Sequence, residues 1–548
     1  MSELKEYIVT LKNRDDLDAF YEDMETPSGD LYIPGRAVEC ANRREISRNT
    51  HYMLSDTEAE ELKKDSRVMF VELTPKQRGI TVRSNFTQTG NFNKSEEINS
   101  TYVNWGLLRC VEGQQRAGWG SDGTEIISDT IRVTTQGKNV DVVIVDGHFN
   151  PAHPEYAVNS DGTGGSRVIQ YNWYLHKIGG GTYVYTPYTG TGAEEDNNHG
   201  AHVAGTACGN TQGWARSANI YNINPYSTNP NGDIDTLLFD YIRAFHASKT
   251  INPATGRRNP TITNNSWGYA SVVDASTITR VFYRGVVYTG PFTLAQLASY
   301  GLITQQDFFG TNYLVIPARV GAVEQDIEDA IADGIIVVGA AGNEYATLGA
   351  PQDADWDNYI DAESALDPLL PDNRYYTSDL GTPGGAIKED LSYATICVGS
   401  IGTNTDDRKS DFSNRGARID IWAPGSGIQS SVNTGGILDS RNASYRQDNY
   451  SGTSMASPQV CGVLACALEM YPAMNNAQAR TYLFATAKQN QVADNSNGLS
   501  DVYDLINSPN RYLAHKQQRP VTGNVYPKTD YFLRPTSGQV YPRTRIKR

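Results

Sequence analysis

The stretch "NYSGTSMASPQVCGVLACALEMYP", Asn449 to Pro472, crowds Gly, Thr, Ser and Ala against a long apolar run of helical character. Small residues at a helix start let another group approach the backbone N–H donors. Ser454 would sit there in the positive field of the helix dipole, which favours developing negative charge. A serine used as a nucleophile in acyl transfer needs a base, the base needs a carboxylate to orient it, and the oxyanion needs donors. The chain offers a candidate for each. "VDVVIVD" is apolar until it ends in Asp146, and "NNHGAHVAGTACG" places His199 at a helix start with His202 one turn later. "VVGAAGNE" ends a buried strand with Asn343, whose amide can donate. Taken singly, each has a structural reading: a helix-capping Asp, a packed His, a turn Asn. Taken together they supply every part that acyl transfer requires.

Such residues need a frame. From about 101 to 508, apolar strand runs ("VDVVIVD", "IIVVGAAGN", "ATICVGSI") alternate with helical patterns. In 321–334, Val323, Ile327, Ala330 and Ile331 recur at helical spacing before a continuous apolar strand. That alternation predicts an α/β fold, a mostly parallel sheet with helices on both faces. Ligands gather beyond the carboxyl ends of such strands, where Asp146 stands. Ahead of this region, residues 1–75 read as a small α+β unit. "EYIVTL", "THYMLS" and "RVMFVEL" are its strands, "DLDAFYEDM" is a helix, and a second helix starts at a capping-box spacing of Ser55 and Glu58. Residues 76–103 are polar and linker-like.

The segments "HGAHVAG", "NNSWG", "AAGN", "APG" and "GTSMASP", spread over 140–470, resemble the subtilisin-like serine proteases, the subtilases. The order Asp, His, Ser agrees with that family. The resemblance implies a serine endopeptidase working through an acyl-enzyme. Asp146 would orient the ring of His199, the general base and acid, and Ser454 would be the nucleophile. Asn343 would form the oxyanion hole with the Ser454 N–H. Ser266, Trp267 and Gly268 would pair with an extended peptide substrate, Ala340, Ala341 and Gly342 would line the first pocket, and His202 would be a packing residue. Residues 1–75 resemble the family's inhibitory propeptide, a small ferredoxin-like domain, so the chain's own N-terminal domain would be an intramolecular inhibitor. "NWGLLRC" (104–110) would then open a catalytic domain running to 508, with cleavage expected in the 76–103 linker. The chain departs from the family at Gly147 and His148, where a small hydroxyl residue and Gly are usual. The expected results are a lost local hydrogen bond and an imidazole near the site.

Two stretches exceed the family's usual lengths: 269–320, aromatic-rich, and 350–392. The second carries Asp353, Asp355, Asp357, Asp361, Glu363 and Asp367. A solvated loop is the ordinary reading of such a run; a structural calcium site or a pocket for basic side chains are the alternatives. The chemistry itself requires no cofactor. Residues 509–548 hold nine Lys/Arg and one acid, and "RPVTGNVYPKT" (519–529) recurs as "RPTSGQVYPRT" (534–544). This basic, Pro-rich extended tail is either a disordered end or an arm for an acidic partner. It motivates an alternative function, a structural or assembly component of a complex or particle that retains the fold. A lipase or esterase would need a G-x-S-x-G elbow, absent around Ser454.

The 548 residues carry a formal charge of −15, which argues against nucleic acid as a partner. No apolar run is long enough to span a bilayer, and the charged start lacks a signal peptide's apolar core. The expected site of synthesis is the cytosol, with a larger particle or another export route as alternatives. Six cysteines are scattered without metal spacing, and Cys461 and Cys466 read as small core residues.

Overall fold

The computed structural model describes the chain outside residues 1–3, 34–39, 43–48, 74–85, 90–103, 113–129, 134, 177–184, 186, 189–197, 226–227, 230–231, 234–237, 269, 303, 307–309, 318–320, 351–357, 363–392, 404–405, 495–502 and 516–548. The chain divides into two units, Met1–Ser84 and Asn85–Arg548.

In the first unit the strands Cys40–Asn42, Asn49–Leu54, Lys5–Leu11 and Val68–Leu73 lie in that order in one antiparallel sheet. The period-two pattern sends Tyr7, Val9, Leu11, Tyr52 and Leu54 into one core. Phe20 and Met24 of the helix Leu17–Glu25, with Ala59 and Leu62 of the helix Asp56–Leu62, close that core. The second helix starts on the capping box read from sequence: Ser55 N–H donates to Glu58 Oε2 at 2.7 Å, and Glu58 N–H to Ser55 Oγ at 3.3 Å. Met53 and Met69, between the buried positions of their strands, are 39% and 47% exposed.

The second unit is built on an eight-stranded sheet. Its order is Lys488–Gln489, Arg511–Tyr512, Ile421–Pro424, Ile396–Ile401, Ile336–Ala340, Thr261–Asn265, Asp141–Val145, Asn219–Ile223. All neighbouring pairs are parallel except the first. Asp141–Val145 is wholly buried because it is covered twice. Val142 and Ile144 face one apolar cluster with the helices Asn198–Cys208 and Thr453–Met470, while Val143 and Val145 face a second with Leu238–Ser248 and Gly321–Ala332. From Asp141–Val145 the chain passes to the edge strand Asn219–Ile223. It then returns across to Thr261–Asn265, which makes a topological switch point beside Val145.

The stretch 269–320 folds onto a cluster of its own, with Ile278, Val281, Leu297 and Leu314 inside. Tyr359–Ala362 pairs with Ile278–Tyr283, so the second long stretch begins as part of the first. The remaining acids of 350–392 lie outside the described residues, while Asp361 pairs with Arg280. Two boundaries differ from the sequence reading. Phe86–Thr89, inside the 76–103 linker, pairs with Thr130–Val133, as its aromatic and β-branched residues allow. The body also continues past 508, since Tyr512 joins the sheet opposite Trp422, takes the Arg109 guanidinium over its ring at 3.9 Å, and is fully buried. The rest of the tail and the repeat lie outside the described residues.

Candidate active site

Register places the site. Asn265 pairs with Val145 on one side and Gly339 on the other, so Asp146, Ser266 and Ala340 form one row at three adjacent strand ends, Ala340 being the last residue of its strand. Asp146 is fully buried. Its Oδ1 accepts the Gly147 N–H at 2.8 Å, and His199 Nδ1 lies 2.9 and 3.0 Å from Oδ1 and Oδ2. His199 comes from the helix Asn198–Cys208, whose start is pressed onto the aspartate turn. A Cβ on Gly200 would overlap the Gly147 carbonyl oxygen, so only glycine fits.

Burial pushes the His199 pKa down, but the charge and hydrogen bond of Asp146 outweigh it and hold the ring above its ordinary 6.5. The carboxylate can only accept, so Nδ1 carries the proton and Nε2 keeps a lone pair in the neutral ring. The imidazole side chain remains 35% exposed.

Ser454 is the second residue of the helix Thr453–Met470, which is buried nearly throughout. Its N–H belongs to the first turn, where no intrahelical acceptor exists. Pro458 lies four residues on and has no N–H to give the Ser454 carbonyl. Ser266 Oγ donates to that carbonyl instead, at 2.9 Å, while Ser454 Oγ reaches the Ser266 carbonyl at 3.4 Å. The Ser454 turn is thus tied to the strand end beside Asp146. Asn264 holds the tie from below: its Nδ2 donates to Ser266 Oγ at 2.9 Å, and its Oδ1 accepts from Ser457 Oγ at 2.6 Å.

Asn343 Oδ1 accepts both the Thr453 N–H (2.8 Å) and Thr453 Oγ1–H (2.9 Å), which fixes the amide so that Nδ2 faces away from them. Nδ2 and the Ser454 N lie 3.7 and 3.6 Å from the point where a side chain on Gly452 would begin. Two donors therefore border one small space. Thr453 Oγ1 also accepts the Gly342 N–H at 3.0 Å. Gly342 has φ +97°, and a Cβ there would strike Asn414 and Glu344.

The other sequence candidates are placed as follows. Ser266 turns its side chain inward, Trp267 is half-buried and Gly268 is exposed. Ala340 and Ala341 are buried, and Ala341 packs in the sheet's core cluster, so it offers any ligand only backbone. His202 is fully buried, with Nε2 2.8 Å from the Ile428 carbonyl and its ring stacked on Tyr450. His148 turns Nδ1 to Asn222 Oδ1 at 2.7 Å, and the expected loss of a local bond is made good by the Gly147 N–H. Sequence reading missed the roles of Thr453, Asn264 and the Ser266 hydroxyl, although Pro458 four residues after the serine signals an orphaned carbonyl.

Among the described residues no group of three or more His, Cys, Asp or Glu is gathered to hold a metal. Five buried carboxylates have internal cations: Glu155 and Asp439 with Arg441, Asp420 with Arg418 and Arg480, Asp141 with Lys249, and Asp407 with Arg109. No helix of the described residues is long and apolar enough to cross a membrane.

A model of the Subtilase family matches residues 137–500. Subtilisin of Bacillus pumilus is 24% identical over 353 residues, 64% of this chain and 84% of that protein. Subtilisin E of Bacillus subtilis (strain 168) is 30% identical over 172 residues, 31% of this chain, and the match spans only 33% of that relative. A crystal structure of a cold-adapted subtilisin-like serine proteinase is 19% identical with a TM-score of 0.43, covering 76% of this chain and 100% of the other.

Proposed function

Since this chain belongs to the subtilase family of serine peptidases, we propose that it is an endopeptidase whose triad is Asp146, His199 and Ser454. One observation carries the assignment: the bonded Asp146–His199 pair stands at the switch point, one strand from the carbonyl that accepts Ser454 Oγ–H. Ser454 Oγ attacks the scissile carbonyl carbon while its proton passes to His199 Nε2. Asp146 stabilises the imidazolium so formed. Asn343 Nδ2 and the Ser454 N–H take the oxyanion. The tetrahedral adduct collapses as His199 returns the proton to the leaving amine, and water repeats the cycle on the acyl-enzyme. An extended polypeptide pairs along Ser266–Gly268, with its first side chain beside Ala340–Gly342. No step requires a cofactor; a structural calcium, if bound, belongs to the acid-rich 350–392 stretch.

The enzyme is made as a self-inhibited precursor. In support, the N-terminal unit covers one face of its sheet with helices and exposes Met53 and Met69. Mass spectra of the wild-type protein and Ser454→Ala, purified side by side, test both halves. Wild type should lose its N-terminal unit by cleavage within 76–103, and Ser454→Ala should stay whole. A wild-type chain that digests unfolded protein yet stays uncut overturns the precursor reading. The basic repeat of 519–544 favours a second reading, an assembly component that retains the fold. Labelling of Ser454 by a serine-directed phosphonate favours the enzyme over that reading.

A further inference from the structure

Gly147 gives the turn after Asp146 no side chain with which to anchor itself, yet the carboxylate's aim depends on that turn. Two asparagines, Asn222 and Asn433, bond to it, and a third, Asn198, bonds to the second of these. Asn222 stands opposite Ile144 on the neighbouring strand. Its Nδ2 donates to the carbonyls of Asp146 at 3.0 Å and Ile144 at 3.1 Å, with the Gly147 carbonyl at 3.4 Å. Its Oδ1 takes His148 Nδ1–H at 2.7 Å, and the His148 ring stacks on Tyr188 with centroids 5.2 Å apart.

Asn433 holds the far side of the turn. Its Nδ2 donates to the His148 carbonyl and its Oδ1 accepts the Asn150 N–H, both at 3.1 Å. The Asn433 and Thr434 N–H groups donate to Asn198 Oδ1 at 3.0 and 2.9 Å, and Asn198 Nδ2 donates to the Thr434 carbonyl at 2.8 Å. Asn198 immediately precedes His199. A path of hydrogen bonds therefore runs from the Asp146 carbonyl through Asn222, His148 and Asn433 to Asn198, the residue before the base.

We propose that Asn222, Asn433 and Asn198 form a bracket that sets the Asp146–His199 geometry, with Asn222 its principal positioning residue. The amides touch neither substrate nor reacting atoms. They act by fixing two backbones that a glycine turn and a helix start would otherwise leave to drift. A misplacement of about 1 Å at such a pair costs on the order of 10²-fold in rate. The proposal rests on the triad assignment above, and its test separates the two.

The experiment measures kcat, KM and the pH profile of kcat/KM for Asn222→Ala, Asn433→Ala and Asn198→Ala on an unfolded-protein substrate. Rates are normalised to sites titrated by a serine-directed phosphonate, so misfolded molecules do not count. Asn222→Ala should lose roughly 10- to 100-fold in kcat with KM within about threefold. The acid limb of its profile should move to lower pH, because a slackened carboxylate raises the ring less. Asn433→Ala and Asn198→Ala should move the same way by less. Should Asn222→Ala fail to fold, the other two carry the same test. Normal kcat per titrated site with an unmoved acid limb in the folded variants overturns the bracket. If Ser454→Ala retains activity, the triad reading falls first; if it is inert while Asn222→Ala is normal, only the bracket falls.

Discussion

At the rim of the sheet, His199 keeps its side chain 35% exposed and gives Nδ1 to a carboxylate. In the seam one helical turn below, His202 is fully buried, meets the backbone carbonyls of Ile428 and Asp448, and stacks on Tyr450 with centroids 4.7 Å apart. The two rings share a helix and differ in electrostatics. Burial drives His202 down to about 3, helped by the neighbouring charge of His199, against the pull of its two carbonyl partners. At His199 the carboxylate reverses the effect of burial. The seam spends its imidazole on packing; the rim keeps a partly exposed ring bonded to a carboxylate.

The buried knot of Glu155, Arg441 and Asp439 repeats the lesson with full charges. Arg441 donates to both carboxylates, reaching Asp439 at 2.6 Å, and Glu155 also accepts the N–H groups of Thr211 at 2.9 Å and Gln212 at 3.1 Å. Charges whose bonds are used up build structure. Titratable groups whose pKa is shifted by a specific charged partner at an exposed rim are candidates for chemistry.

The largest effect expected on the rim side is that of Ser454→Ala. It should lower kcat about 10⁶-fold, the size measured for the corresponding group of subtilisin, a relative, and Asn343→Ala should lower it about 10²–10³-fold. Turnover of a chromogenic peptide at saturation reads both. Asp146→Asn should cost on the order of 10⁴ in kcat, by analogy with the same change in another serine protease. In wild type the acid limb of kcat/KM should lie above pH 6.5, since the base must be neutral and its pKa is raised. In Asp146→Asn that limb should fall, because burial then acts alone.

On the seam side the expected change is in stability. His202→Ala should lose about 2–4 kcal/mol by denaturant titration, from a cavity and the lost bonds to two carbonyls, while kcat changes by less than about tenfold. The two histidines also contribute to stability with opposite pH sign. His202 is depressed, so its contribution is present above pH 6.5 and is lost as pH falls towards about 3. His246 and His515, each pushed down to about 4 mainly by burial, act in the same window. His199 is raised, so its contribution is complete below 6.5 and is lost as pH rises through its folded value. Thermal melts of the Ser454→Ala protein between pH 3 and 7 should therefore steepen towards acid, and less so in His202→Ala.

The sheet was legible because buried parallel strands are continuously apolar. The periodicity of Val323, Ile327, Ala330 and Ile331 gave the helix over them. The residues of the proposed triad stood out because a carboxylate ending such a strand and a serine opening an apolar helix break a pattern. The asparagine bracket was not: Asn198, Asn222 and Asn433 are distant in sequence, and each alone reads as a turn or surface residue. Nor was the body's extension through His515, because Tyr512 is buried by partners, Trp422 and Arg109, that lie far away in the chain. The strand at Phe86–Thr89 escaped for a similar reason, since its partner Thr130–Val133 lies in another part of the sequence.

The central claim is that the hydroxyl of Ser454 is activated by the His199–Asp146 pair. The most direct measurement is a peptide map of the protein after reaction with a serine-directed phosphonate. The account expects one label, on Ser454, formed rapidly in wild type and slowed by orders of magnitude in His199→Ala. A label on another serine, or on Ser454 at the same rate without His199, would contradict it.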